Sequence, residues 1–221
     1  MARHFELELD QLRTMLIRMG SLVEEQIDCS VKAIVDGDES LAALVIERDK
    51  KVDEYDNSID QQCIRIFALT QPVAVDLRLL MAALKINNEL ERIGDLAVNL
   101  AERVKALLPY KAFVRDTQLK EMAQSAREMV KSAIDSFVNN DPNLAKKVLE
   151  SDDTIDSIDR DMFALMVKTM KKSSELIEPA VHMVILSRHI ERLADHATNI
   201  AEDVIFLVNA RIIKHNVDEH I

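Results

Sequence analysis

Eight carboxylates stand at spacings that suit one kind of chemistry. Asp49 and Asp53, Glu91 and Asp95, Asp152 and Asp156, and Glu191 and Asp195 each form an [Asp/Glu]-x-x-x-Asp pair. On an α-helix a residue four positions on lies about 40° round and one turn up, so both members of a pair share a face. Carboxylate oxygens suit hard cations such as magnesium, manganese, calcium and iron, whereas zinc more often recruits Cys or His. Like charges one turn apart cost roughly a few tenths of a kcal/mol per pair. A bound cation would offset that cost. For any single stripe the alternative is a solvated acidic face neutralised by Arg92, Arg192 and nearby lysines.

The stripes continue beyond the pairs. Asp56 extends the first by i, i+4, i+7 spacing, and Asp159 extends its counterpart in the same way. With Glu91 at zero, Asp95 lies at about 40°, Asn99 at about 80° and Glu102 at about 20°, while Ile93, Ala97, Leu100 and Val104 fall at roughly 180–240°. The acids therefore point away from the apolar stripe. The same holds for Glu191, Asp195, Asn199 and Glu202 against Leu193, Ala197, Ile200 and Val204. Asn99 and Asn199 are candidate amide-oxygen ligands or hydrogen-bond partners of a carboxylate. His196, beside Asp195, is a candidate further ligand, against the commoner surface or interface histidine. His182 and His189 read as structural or surface residues, and the scattered methionines as core filling. No Gly-rich phosphate loop and no Ser/His/Asp or Cys/His set has readable spacing.

The elements that must position these acids are legible as helices. Apolar residues recur at three- and four-residue spacing nearly throughout. The breaks predict six helices at about 5–36, 39–69, 72–108, 116–139, 142–171 and 176–211. Gly37 marks a left-handed helix end, with Asp38 or Ser40 as the next cap. Asn140, Asp141 and Pro142 repeat that signal. Long helices joined by short turns favour antiparallel bundles. "LERIGDLAVNLAE" (90–102) and "IERLADHATNIAE" (190–202) share seven identities, and upstream segments align at an offset of 103. The chain reads as an all-α tandem duplication of a three-helix bundle, residues 1–110 and 111–221. The pairs Asp49/Asp53 and Glu91/Asp95 are equidistant from Pro72 in an expected turn. In the second half the midpoint falls near Ser173. Each acidic pair should thus come level with another across a hairpin, four carboxylates per repeat.

Composition narrows the function classes. Hydrophobic residues make up 48% of the 221, with three Gly, four Pro and no Trp. That favours long helices packed by aliphatic side chains. A net charge of −11 offers no basic surplus to neutralise phosphates, so nucleic acid is not an expected partner. The N-terminus "MARHFELELD" lacks the apolar run of a signal peptide, and no apolar window is long enough to span a membrane. Cys29 and Cys63 form no redox or metal motif. A cytoplasmic protein is expected.

At the acidic stripes the sequence resembles the PhoU family of phosphate-signalling regulators. "LTQPVAVDLRLLMAALKINNELERIGDLAVNLAER" (69–103) resembles the family's first signature, and "SRHIERLADHATNIAEDVIFLV" (187–208) its second. The first repeat's "VDLR" (75–78) has no counterpart before Glu191, so the halves need not act identically. The resemblance implies two three-helix bundles with surface metal clusters, often of iron, with magnesium, manganese, zinc and calcium as other candidates. It places Asp49, Asp53, Glu91 and Asp95 at one cluster and Asp152, Asp156, Glu191 and Asp195 at the other. It implies a homodimer that restrains the phosphate-starvation response. Its partners would be the ATPase of a phosphate ABC transporter and a sensor histidine kinase, so that it meets the membrane only through them. Two other classes compete. A carboxylate-bridged di-iron enzyme would need Glu-x-x-His motifs facing a core, and no Glu lies three residues before any His. A metal-free bundle that only dimerises is the other.

Overall fold

The computed structural model describes residues 2–210. The remote end of the expected second repeat, and residue 211 of its last expected helix, lie outside the described residues. The long helices are α1 (Ala2–Asp36), α2 (Glu39–Thr70), α3 (Val75–Ala101), α6 (Leu119–Asn139), α7 (Pro142–Lys172) and α8 (Ile177–Asn209). Two short helices, α4 (Val104–Leu107) and α5 (Lys111–Arg115), lie between α3 and α6. Six long helices and no strand among the described residues make the fold all-α, as expected.

One expected helix, 72–108, divides. At Glu102 and Arg103 the backbone leaves the regular ladder, with Arg103 N donating to Leu100 O at 3.1 Å. α4 and a 3₁₀ turn at 108–110 follow. α5 then occupies residues that the sequence suggested were a plain turn after Pro109. Its apolar Val114 is buried, which holds this connection against the bundle instead of leaving it in solvent.

The other ends follow from local chemistry. Gly37 adopts φ +63°, and Asn140 φ +50°. These left-handed residues let Asp38 N reach Ala33 O at 2.9 Å and Asp141 N reach Ser136 O at 2.8 Å, closing the last carbonyls in both repeats. The Asp38 side chain then accepts from Ser40 N and Leu41 N, and Asp141 from Asn143 N and Leu144 N. Pro142 sits in the first turn of α7, where its missing N–H costs nothing.

Each repeat packs as an antiparallel trio, α1–α2–α3 and α6–α7–α8, and the trios join through α3 against α8 and α1 against α6. α3 and α8 are the centre of the molecule. Leu90, Ile93, Ala97 and Leu100 are fully buried on one, as are Ile190, Leu193, Ala197 and Ile200 on the other. That shared core fixes the rotation of both helices, and so fixes where their acids point.

Candidate metal centres

α2 and α3 carry the first acidic cluster. Asp49 and Glu91 are half-buried, with Asp53 and Asp95 exposed beside them. Burial pushes the Asp49 carboxyl above its ordinary range, a hydrogen bond from Gln26 counteracts, and the charges of Asp53 and Asp95 push it further up. Burial likewise raises Glu91, followed by the charges of Asp95, Asp56 and Asp53. Each helix therefore feels the acids of the other, as the level hairpin requires.

α7 and α8 repeat the arrangement with a different surround. Asp152 is pushed up to about 6, by burial first and then by Asp195, Asp156 and Asp153. Glu191 is raised by burial and Asp195, with Arg188 opposing. Burial also raises Asp195, against the pull of His196. Met129 replaces Gln26 at the equivalent position, so Asp152 lacks the amide that relieves Asp49. The third acids differ too. Asp56 accepts from Asn87 Nδ2 at 2.7 Å, whereas Asp159 is buried and pairs with Arg188 at 3.1 Å. Arg188 also reaches Glu191 at 3.2 Å, and Arg160 lies 3.7 Å from Asp156. Amides bond Asp49 and Asp56 in the first cluster, where Arg92 also acts on Glu91, whereas Arg188 pairs directly with Asp159 and Glu191 in the second.

Among the described residues no three His, Cys, Asp or Glu groups are arranged to hold an ion as they stand. The structure instead shows acids within mutual electrostatic reach. Three observations bear on whether a cation fits them. The donor set is all oxygen, which suits a hard cation. Burial first, and then the charges of neighbouring carboxylates, raise Asp49, Glu91 and Asp152. Gln26 Oε1 is buried without a partner beside Asp49, which its Nε2 approaches at 3.4 Å. The donor chemistry is that of a hard-cation site, while the acids do not stand together as a ligand set among the described residues.

Gly94 shapes the first cluster. A Cβ there would lie 3.2 Å from Val52 Cγ1, 3.3 Å from Asp49 Oδ1 and 3.4 Å from Gln26 Oε1. Ala194 occupies the matching place in the second repeat. Gly94→Ala, tested in an Asp195→Asn background, is expected to weaken manganese binding at the first cluster several-fold by shifting Asp49. The unfolding free energy should change by no more than about 1 kcal/mol. Unaltered manganese affinity would separate position 94 from the site.

The remaining candidates fall elsewhere. His196 is buried, with Nδ1 2.6 Å from Glu89 Oε2, and Asn199 Nδ2 donates to the same oxygen at 3.1 Å. Both sit where α8 meets α3, so they reach across the repeat interface. Hydrogen bonds to His196 and Asn199 leave Glu89 with a lowered pKa in spite of its burial. Glu202 lines the same groove with Lys85, Asn88 and Arg92. Asn99 is half-buried at the equivalent place on α3, and Glu102 is exposed at the helix break. Sequence reasoning missed Gln26, Asn87, Glu89 and Arg188. Gln26 and Asn87 had a signal: each is a polar residue inside an apolar helical stripe, beside Ile27 and Ile86 respectively.

Fold and site together define a duplicated three-helix bundle with paired acidic faces, the two halves sharing one central helix pair. The PhoU domain matches residues 16–104 and again 119–204. A phosphate-specific transport system accessory protein PhoU homolog of Aquifex aeolicus is 38% identical over 211 residues, covering 94% of each chain. One from Pseudomonas putida is 35% identical over 215 residues, 97% of this chain and 84% of that one. The crystal structure of PhoU from Pseudomonas aeruginosa superposes with a TM-score of 0.87 at 35% identity, over 94% of this chain and 100% of the other. The phosphate transport system regulatory protein PhoU from Streptococcus pneumoniae gives the same TM-score at 25% identity, over 95% and 99%. The chain belongs to the PhoU family.

Proposed function

We propose that the protein is a non-enzymatic negative regulator of the phosphate-starvation response. It acts in the cytoplasm as a homodimeric adaptor between the ATPase of a phosphate ABC transporter and a sensor histidine kinase, and it modulates phosphate uptake. The observation that carries this reading is the match to the PhoU domain twice along the chain. The relatives' names, accessory or regulatory proteins of phosphate transport, point the same way. Among the described residues no helix is long and apolar enough to cross a membrane, so contact with a transporter is by docking. The hairpin tips offer surface for it: Leu69, Val73 and Val75 in one repeat, and Ile177 and Val181 in the other, are exposed apolar side chains.

Asp49, Asp53, Glu91 and Asp95 would hold one ion or cluster, and Asp152, Asp156, Glu191 and Asp195 the other. Iron is the first candidate, with magnesium, manganese, zinc or calcium as alternatives. A bound cation would supply charge neutralisation between the two helices of each hairpin. The chain's own part is to present the acids: the α3–α8 core sets their direction, and Gln26 and Asn87 orient Asp49 and Asp56 by hydrogen bonds.

Deleting the gene is expected to derepress secreted phosphatase in phosphate-rich medium, with restoration by the intact gene. Phosphatase output that stays low in the deletion strain would rule out the regulatory role.

A further inference from the structure

The two ends of the α3–α8 groove are related by the repeat, yet they differ in charge. Positions in these helices correspond at an offset of 100. At one end Lys85 Nζ lies 2.6 Å from Asp203, and Glu89 takes His196 and Asn199. At the other end both acids are replaced by bases. Arg103 stands where Asp203 stands, and His189 where Glu89 stands, with Asn99 kept in place of Asn199. Leu96 replaces His196 and Ile185 replaces Lys85, so neither new base meets an acid from its mate position.

The side chains record the consequence. Arg103 Nε and His189 Nδ1 are buried atoms without hydrogen-bond partners. The charged groups that act on His189 are Arg103 and Arg192, both positive. Arg188, one turn before Arg192, is engaged elsewhere, on Asp159 and Glu191. Glu102 is exposed at the helix break and is not among the charges felt by His189. A buried donor without a partner carries a desolvation cost that an acceptor would remove. A guanidinium fork beside a second guanidinium and an imidazole suits the several oxygens of one small anion.

We propose that Arg103, His189 and Arg192 form a binding site for a small oxyanion at this end of the groove, beside the acidic cluster of α7 and α8. The ligand chemistry is that of a free tetrahedral oxyanion such as inorganic phosphate or sulfate. Asn99 would complete the site as an amide donor.

The test uses the full chain stripped with EDTA, titrated with sodium phosphate and separately with sodium sulfate at constant ionic strength. Binding is read by calorimetry and by the Arg103 Nε–H resonance. The intact protein should bind at least one of the two saturably and shift that resonance. Arg103→Gln and His189→Glu, the second restoring the acid of the mate position, should each weaken binding by about ten-fold or more. Lys85→Gln, at the opposite end, should stay within about two-fold. Helix content by circular dichroism shows that each variant folds. No saturable binding of either anion by the folded parent would overturn the proposal. So would equal binding by Arg103→Gln and His189→Glu, or equal loss in Lys85→Gln.

Discussion

Replacing Asp95 and Asp195 together by Asn is expected to lower the metal retained after native purification by about ten-fold or more, with helix content unchanged. Both side chains are exposed on rigid helices, and neither packs in the core. Each is also the acid through which the facing helix is felt: Asp95 raises Asp49 from across the hairpin, and Asp195 raises Asp152. Asn keeps the shape and one oxygen but removes the charge, which a hard cation needs. The loss should be larger in the first repeat, where amides rather than a paired guanidinium bond Asp49 and Asp56. In the second, Arg188 already holds Glu191 and Asp159, and a cation there must compete with it. Elemental analysis of the parent, both single variants and the double variant measures this. Equal metal in the parent and the double variant would remove these residues from the site.

The helices and the repeat were legible because they rest on periodicity and on turn chemistry. Gly37 and Asn140 needed left-handed backbone, and Asp38 and Asp141 supplied caps, so both boundaries fell where the sequence put them. The break at Glu102–Arg103 was not legible. No Gly or Pro marks it, and the repeat argued against it, since α8 runs unbroken through the equivalent residues. The level placement of the acids followed from hairpin symmetry alone. Their surroundings did not, because those depend on contacts between distant segments. Gln26 meets Asp49 from α1, and Glu89 meets His196 across two repeats. Helical arithmetic put His196 near the acids of its own stripe. It could not show that α8 turns this residue toward α3.

Without metal, the second cluster should make the protein less stable as pH rises, and one substitution should expose this. Asp152 has an ordinary value of 3.8 and a folded value of about 6, so between these values the folded chain holds a proton that the unfolded chain has released. Its contribution to stability is therefore fully present below pH 3.8 and is lost as pH rises through about 6. Two units correspond to almost 3 kcal/mol, but the group is about half exposed, and screening reduces this to about 1 kcal/mol. Asp49, Glu91, Glu191 and Asp195 shift in the same direction. His189, lowered by burial and by two arginines, opposes them: its share is fully present above its ordinary value of 6.5 and is lost as pH falls from there through its lowered folded value. Comparing the parent with Asp152→Asn cancels that opposition. In EDTA at pH 7.5 the variant should be more stable by about 1 kcal/mol, and the difference should shrink as pH is lowered toward 5. Saturating manganese should reverse the order, because metal and protons compete for the same oxygens. An ion at 100 times its dissociation constant adds about 2.7 kcal/mol per site. For a chain of this length that raises the midpoint of thermal unfolding by roughly 5–10 °C. Urea and thermal unfolding at both pH values, with and without manganese, measure all four quantities. A parent more stable than Asp152→Asn in EDTA at pH 7.5 would mean that the carboxylate already has a compensating partner. The second cluster would then have no uncompensated carboxylate for a cation to neutralise.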